Sequence, residues 1–113
     1  MHATGAKSIA IYARSAAAFG PAQTLERQVE QARAVIARQF AEPVEVLVFM
    51  DRASGLSISN RPGLVAMMQA AESGRIQQIV TADASRISRS NTDLTKVVDR
   101  LCNCNIPLTT IDS

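Results

Sequence analysis

Four short runs rich in valine, isoleucine and other apolar residues stand out along the chain: SIAIYA at 8–13, VEVLVFM at 44–50, IQQIVTA at 76–82 and IPLTTI at 106–111. Their brevity and β-branched content predict buried strands. Between them the apolar spacing turns helical. Leu25, Val29, Ala32 and Ile36 fall on one face of a first helix, with Thr24 placed to cap it. Leu64, Met67, Met68 and Ala71 make the stripe of a second, which opens at Pro62, a favoured first-turn residue, and stops at Ser73-Gly74. A third starts near Ser90 and Asn91 and carries Leu94, Val97, Val98 and Leu101. Each stripe is what packing on a sheet requires.

The order β-α-β-α-β-α-β calls for an α/β fold: a mostly parallel, four-to-five-stranded sheet with helices on both faces, joined by right-handed crossovers. No linker, internal repeat or low-complexity tract interrupts it, so residues 1–113 read as one domain. A content of 47% hydrophobic and 19% charged residues suits a globular chain. No apolar run reaches membrane-spanning length and no secretory segment opens the sequence, so the expectation is a cytoplasmic protein, away from membranes, with reduced thiols.

Composition removes several chemistries. His2 is the only histidine, so no Ser-His or Cys-His machinery is expected. Cys102 and Cys104 alone fall short of a zinc site, and no metal is expected. A Gly-rich phosphate loop of the GxGxxG or Walker kind is missing, so a phosphate-ligand module of that kind, a nucleotide or any other cofactor is not expected either. With no Trp and one Tyr, a stacking platform for single-stranded bases has no material. Net charge is only +2, yet of twelve basic residues just Lys7 and Lys96 are lysine. Arginine forks match phosphate or carboxylate oxygens two at a time.

Ligands of open parallel sheets bind beyond the carboxyl ends of the strands. The segments there read YARSAAA, DRASGLSISNRP and DASRISRS. They gather Arg14, Arg52, Arg61, Arg86 and Arg89 with a set of serines into an expected cationic, hydroxyl-rich rim suited to phosphate. Arg86 and Arg89, three apart, share a face if that segment is helical. The ordinary alternative is a set of solvated surface arginines.

YAR closing the first strand, TLERQ opening the first helix, DRASG followed by NRPGL, then SRISRS and a closing LTTID occur in one order. In that set the chain resembles the N-terminal catalytic domain of serine recombinases, the resolvases and DNA invertases, from about Ile9 to Asp112. The resemblance implies a resolvase-like, flavodoxin-like three-layer fold, DNA as the partner, and a homo-oligomer. It implies site-specific breakage and rejoining of DNA, in which a serine hydroxyl attacks a phosphodiester to give a phosphoserine, without metal or nucleotide. Arg14, Arg61, Arg86 and Arg89 match the family's phosphate-binding arginines, Asp51 and Ser54 its DxxSG-type loop, and Gln28 its first-helix glutamine. Several guanidinium groups suit phosphoryl transfer, which rests on positioning and charge stabilisation.

Three departures qualify this. The family reads Tyr-x-Arg-x-Ser, whereas here the nucleophile position is Ala16, with Ser15 one residue early. Alanine has no hydroxyl to attack with, and neighbouring side chains of an extended strand face opposite ways. Either a bulge or an early loop turns Ser15 onto the arginine face as a displaced nucleophile, or the domain no longer cuts DNA and serves as a non-catalytic binding or regulatory relative. Ser85 stands where many members carry aspartate. The chain also stops where the long dimerisation helix would begin, with no DNA-binding module after it, so a catalytic domain alone is expected.

Overall fold

Local pattern and long-range pairing agree on the main elements. The computed structural model describes residues 7–15, 23–40, 43–52, 61–82, 84–87 and 90–111. In chain order it contains β1 (Ser8–Ser15), α1 (Gln23–Gln39), β2 (Glu45–Arg52), α2 (Pro62–Glu72), β3 (Gln78–Thr81), α3 (Ala84–Ile87), α4 (Asn91–Asn103) and β4 (Leu108–Thr110). The strands form one parallel sheet in the order β2-β1-β3-β4. This is the expected α/β architecture.

Both faces of the sheet are covered. Ala32 and Ile36 of α1 pack with Ile9, Ile11 and Val80 on one side. On the other, Leu64 and Met67 of α2 and Val97 and Leu101 of α4 pack with Ala10, Tyr12 and Ile79. Alternate residues of β1 thus feed opposite layers, which is why this strand is apolar at consecutive positions.

Element ends differ from the sequence expectation where pairing overrides composition. β1 runs two residues past Ala13, because β2 stays beside it in one-to-one register to Ser15↔Arg52. No bulge therefore interrupts the ladder through Ser15 and no loop begins before it, so neither of the two routes by which a displaced Ser15 could turn is found within the strand. β3 and β4 are shorter than the runs that predict them, since only Ile79↔Leu108 to Thr81↔Thr110 pair. α1 begins at Gln23, so Thr24 lies inside the helix and is not its cap. Ser90 does cap α4, its Oγ accepting the Asp93 N–H at 3.3 Å. α2 opens on Pro62 and is followed by Gly74 at φ +81, the left-handed residue expected there. α3 went unpredicted, because a four-residue helix carries no period to read.

From the central strand β1 the chain passes outward to β2 and later to β3 on the other side. The crevice between β1 and β3 is accordingly the switch point at which open α/β sheets bind ligands. Arg14, one residue from the end of β1, lies there beside α3. Among the described residues no helix is long and apolar enough to cross a membrane.

Candidate functional site at the carboxyl end of the sheet

Beyond Tyr12↔Thr81, the last β1–β3 pair, the Arg14 backbone has run out of sheet partners on that side. Gln28 of α1 replaces them: its Oε1 accepts the Arg14 N–H and its Nε2 donates to the Arg14 carbonyl, both at 3.1 Å. A buried amide matched to both backbone groups removes the cost of leaving them unpaired. It also fixes the start of the Arg14 side chain.

That side chain is 1% exposed, and its Nε donates to the Arg86 carbonyl at 3.0 Å. Arg86 answers through Nη1, which donates to the Arg14 carbonyl at 3.2 Å. The two arginines therefore clasp each other's main chains, joining the end of β1 to α3.

Arg61, the residue before α2, is wholly buried. Its Nη2 donates to the Arg86 carbonyl at 2.5 Å and its Nη1 to the Ile87 carbonyl. The same guanidinium donates from Nε and Nη2 to the Tyr12 hydroxyl at 3.2 and 2.8 Å, and its carbon lies 5.3 Å from the centre of the Tyr12 ring. One planar fork thus holds a strand side chain and the last carbonyls of α3 together. An ammonium could not reach so many acceptors in one plane.

The network continues into β2. Tyr12 Oη donates to Asp51 Oδ2 at 2.7 Å, and the carboxylate accepts the N–H groups of Gly63 and Leu64 at 2.8 Å each. Arg61 sits at the helix N-cap and makes no side-chain cap, so Asp51 caps α2 from across the sheet. On the far side the Thr81 hydroxyl donates to the Tyr12 carbonyl at 2.9 Å.

Burial, then the hydrogen bond to the Asp51 carboxylate, raise the pKa of the Tyr12 phenol well above its ordinary value, while Arg61 pulls the other way. The neutral phenol is the form the fold favours. Its folded pKa lies above the unfolded one, so the stability it contributes is fully present below about pH 10 and is lost as pH rises beyond it. Tyr12 is the only tyrosine, so tyrosinate absorbance reports it alone. We expect no such absorbance from the native protein at about pH 11 and its appearance on unfolding; native titration at the ordinary pKa would refute this description of the site.

Arg14, Arg61, Arg86, Gln28 and Asp51 thus meet at one end of the sheet. The exposed rim expected from the sequence is corrected for Arg14 and Arg61, which lie beneath the surface and hold backbone carbonyls; Arg86 is partly exposed. The backbone of Ser15 pairs with that of Arg52 at the end of the ladder; the side chains of both lie outside what the structure describes. Ala16, Ser54 and Arg89 lie outside the described residues, as does any face Arg89 shares with Arg86. Tyr12 and Gly63 were not singled out. A lone tyrosine hydroxyl inside an otherwise aliphatic strand was the available signal for Tyr12. Among the described residues no cluster of three or more His, Cys, Asp or Glu could hold a metal.

Several solved structures share this fold. The C-terminal catalytic domain of ISC1926 TnpA, an IS607-like serine recombinase, superposes with a TM-score of 0.81 at 20% identity, over 94% of this chain and 70% of that one. The N-terminal catalytic domain of TP901-1 integrase gives 0.78 at 20% identity, over 94% and 78%. A resolvase family site-specific recombinase from Streptococcus pneumoniae gives 0.73 at 18% identity, over 94% and 72%. At these identities the likeness speaks for the fold. No curated protein matches the sequence. The family model of the resolvase N-terminal domain, however, matches residues 9–113, nearly the whole chain, and the chain belongs to that family.

Proposed function

We propose that this chain is a serine-recombinase-type domain that grips a DNA phosphodiester at the carboxyl ends of β1 and β3 and is impaired in strand breakage, with Ala16 where the nucleophile belongs. The observation that carries the reading is the convergence of Arg14, Arg61 and Arg86 at the switch point. Arg14 and Arg61 hold the Arg86 and Ile87 carbonyls, and so set the main chain from which Arg86 addresses the phosphate, with Arg89 as its partner by family pattern. Gln28 fixes the Arg14 backbone, while Asp51 holds the start of α2 against the end of β2. A DNA partner goes with a cytoplasmic location and with assembly of like chains on the duplex.

In the unimpaired reaction a serine oxygen bonds to phosphorus, the bond from phosphorus to one deoxyribose oxygen breaks, and the serine proton is lost as the leaving oxygen gains one. Guanidinium groups stabilise the charge on the phosphoryl oxygens, and no step calls for a metal. Ala16 has no oxygen to offer. Ser15 sits in unbroken register with Arg52, and a displaced nucleophile has to act from that position.

A second reading, a non-catalytic relative that binds DNA or protein in a regulatory role, is favoured by the same burial. A network satisfied by internal carbonyls keeps its structural purpose after the chemistry is gone. Mixing the protein with duplex DNA and resolving the products under denaturing conditions tests the first reading. We expect no covalent adduct, and no change in Ser15→Ala. An adduct that disappears in Ser15→Ala would make Ser15 a working nucleophile and end the claim of impairment. Phosphate titration followed by NMR is expected to move the Arg86 resonances; unmoved resonances would remove the anion site from both readings.

A further inference from the structure

Among the described residues β2 is an edge strand, hydrogen-bonded to β1 on one side only. Two grooves flank its outer edge, one on each face of the sheet. The first, about 430 Å³, has Leu47 and Phe49 on its floor and Ala66, Gln69, Ser73 and Arg75 along its wall. The second, about 350 Å³, is floored by Val29, Val48 and Met50 and rimmed by Glu26, Glu30 and Arg33. Met50 is half exposed. Successive β2 residues therefore open alternately into one groove and the other.

A free strand edge with apolar slots on both faces is the surface that β-strand addition uses: the ladder supplies affinity and the alternating slots supply selectivity. Its length is limited. α2 starts against the end of β2, where Gly63 approaches the Met50 carbonyl, so the open stretch is Glu45 to Phe49. Five residues span roughly 16 Å. With a height of about 20 Å for the sheet and its helix layers, the surface is on the order of 300 Å² a side, well short of the roughly 800 Å² per partner of a stable protein–protein interface. A short extended peptide fits that area; a second folded copy does not.

Charge sets the peptide's direction. α2 runs back antiparallel to β2, which brings Arg75 to the wall of the first groove near the amino end of the strand. Arg75 is exposed and has no ion pair among the described residues. We propose that the β2 edge is a docking site for an extended, β-branched peptide segment of a partner protein, added antiparallel to β2 with an acidic residue at its carboxyl end against Arg75. This site uses none of the arginines of the network and does not depend on DNA chemistry.

The test uses the whole chain and a fluorescein-labelled peptide of two lysines, serine, valine, isoleucine, valine and threonine, ending in two aspartates. Anisotropy should rise to saturation with a Kd on the order of 10–100 μM. Ala66→Arg, at an exposed helix position, fills the first groove and should weaken binding about tenfold, and Arg75→Glu about threefold. Proline in place of the isoleucine removes a ladder donor and should abolish the signal. No saturation by about 1 mM peptide, or equal affinity in wild type, Ala66→Arg and Arg75→Glu, overturns the proposal. So does light scattering that finds a dimer which the peptide does not dissociate, since a second copy would then hold the edge.

Discussion

Arg61→Leu is expected to lower the unfolding free energy by about 3–4 kcal/mol, a large share of what a domain of this size has. The wild-type guanidinium, fully buried, satisfies the Ile87 carbonyl, shares the Arg86 carbonyl with Arg14, and holds the Tyr12 hydroxyl. In the variant the Arg86 carbonyl keeps Arg14 and the Tyr12 hydroxyl keeps Asp51, but the Ile87 carbonyl has no donor among the described groups. An unpaired buried carbonyl costs about 1–3 kcal/mol, and the lost charge-assisted bonds and ring contact add to it. Arg61→Lys should recover only part, because an ammonium keeps the charge without the planar fork. Urea unfolding reads both: a fall in midpoint at constant slope is the expected form. A leucine variant within about 1 kcal/mol of wild type would mean that water serves these carbonyls as well as Arg61 does. The proposed anion site provides a second readout, since release of the α3 carbonyls should also remove the phosphate-induced shifts expected at Arg86.

This result depends on features that the sequence displays only in part. Strand composition, helical stripes and their alternation were enough for the layers and the parallel sheet, because burial on two faces and burial on one leave different apolar spacings. The arginines were visible as residues and their order was visible as a family pattern. Their partners were not. Arg14 and Arg61 bind main-chain carbonyls, which every residue has and no residue type marks. A cation drawn to a carboxylate leaves two charges in the sequence, whereas one drawn to Arg86 and Ile87 carbonyls leaves one, and reads as a surface residue. Asp51 likewise was legible as part of a loop pattern, but its cap of α2 spans a connection of a dozen residues. The extension of β1 to Ser15 came from the length of its neighbour β2, a property of the pair. It bears directly on chemistry, since the strand carries Ser15 in register to the edge of Ala16.

Gly63→Ala is expected to destabilise the protein by about 3 kcal/mol or more, although alanine is the better helix former by about 1 kcal/mol. Pro62-Gly63 reads in the sequence as a simple helix start. In the fold, a Cβ on residue 63 would sit 2.4 Å from the Met50 carbonyl oxygen and 3.0 Å from Asp51 Oδ1. Neither can step aside cheaply. Met50 is pinned by the β1 ladder in register with Ala13, and Asp51 holds the Gly63 and Leu64 N–H groups together with the Tyr12 hydroxyl. Relief requires α2 to move away from β2, which lengthens the bonds to the Asp51 carboxylate and loosens Leu64 and Met67 in the core. The loss should appear in thermal unfolding as a drop in Tm of about 12–24 °C, at roughly 4–8 °C per kcal/mol in a domain near this size. Because the movement begins at Asp51, the same variant should let the Tyr12 phenol titrate closer to its ordinary pKa, with tyrosinate absorbance rising at lower pH than in wild type. An alanine variant as stable as wild type would show that α2 is free to shift against β2. The Asp51 cap would then be a loose contact, and the path of bonds from α2 through Tyr12 and Arg61 to α3 would carry no rigidity to the site.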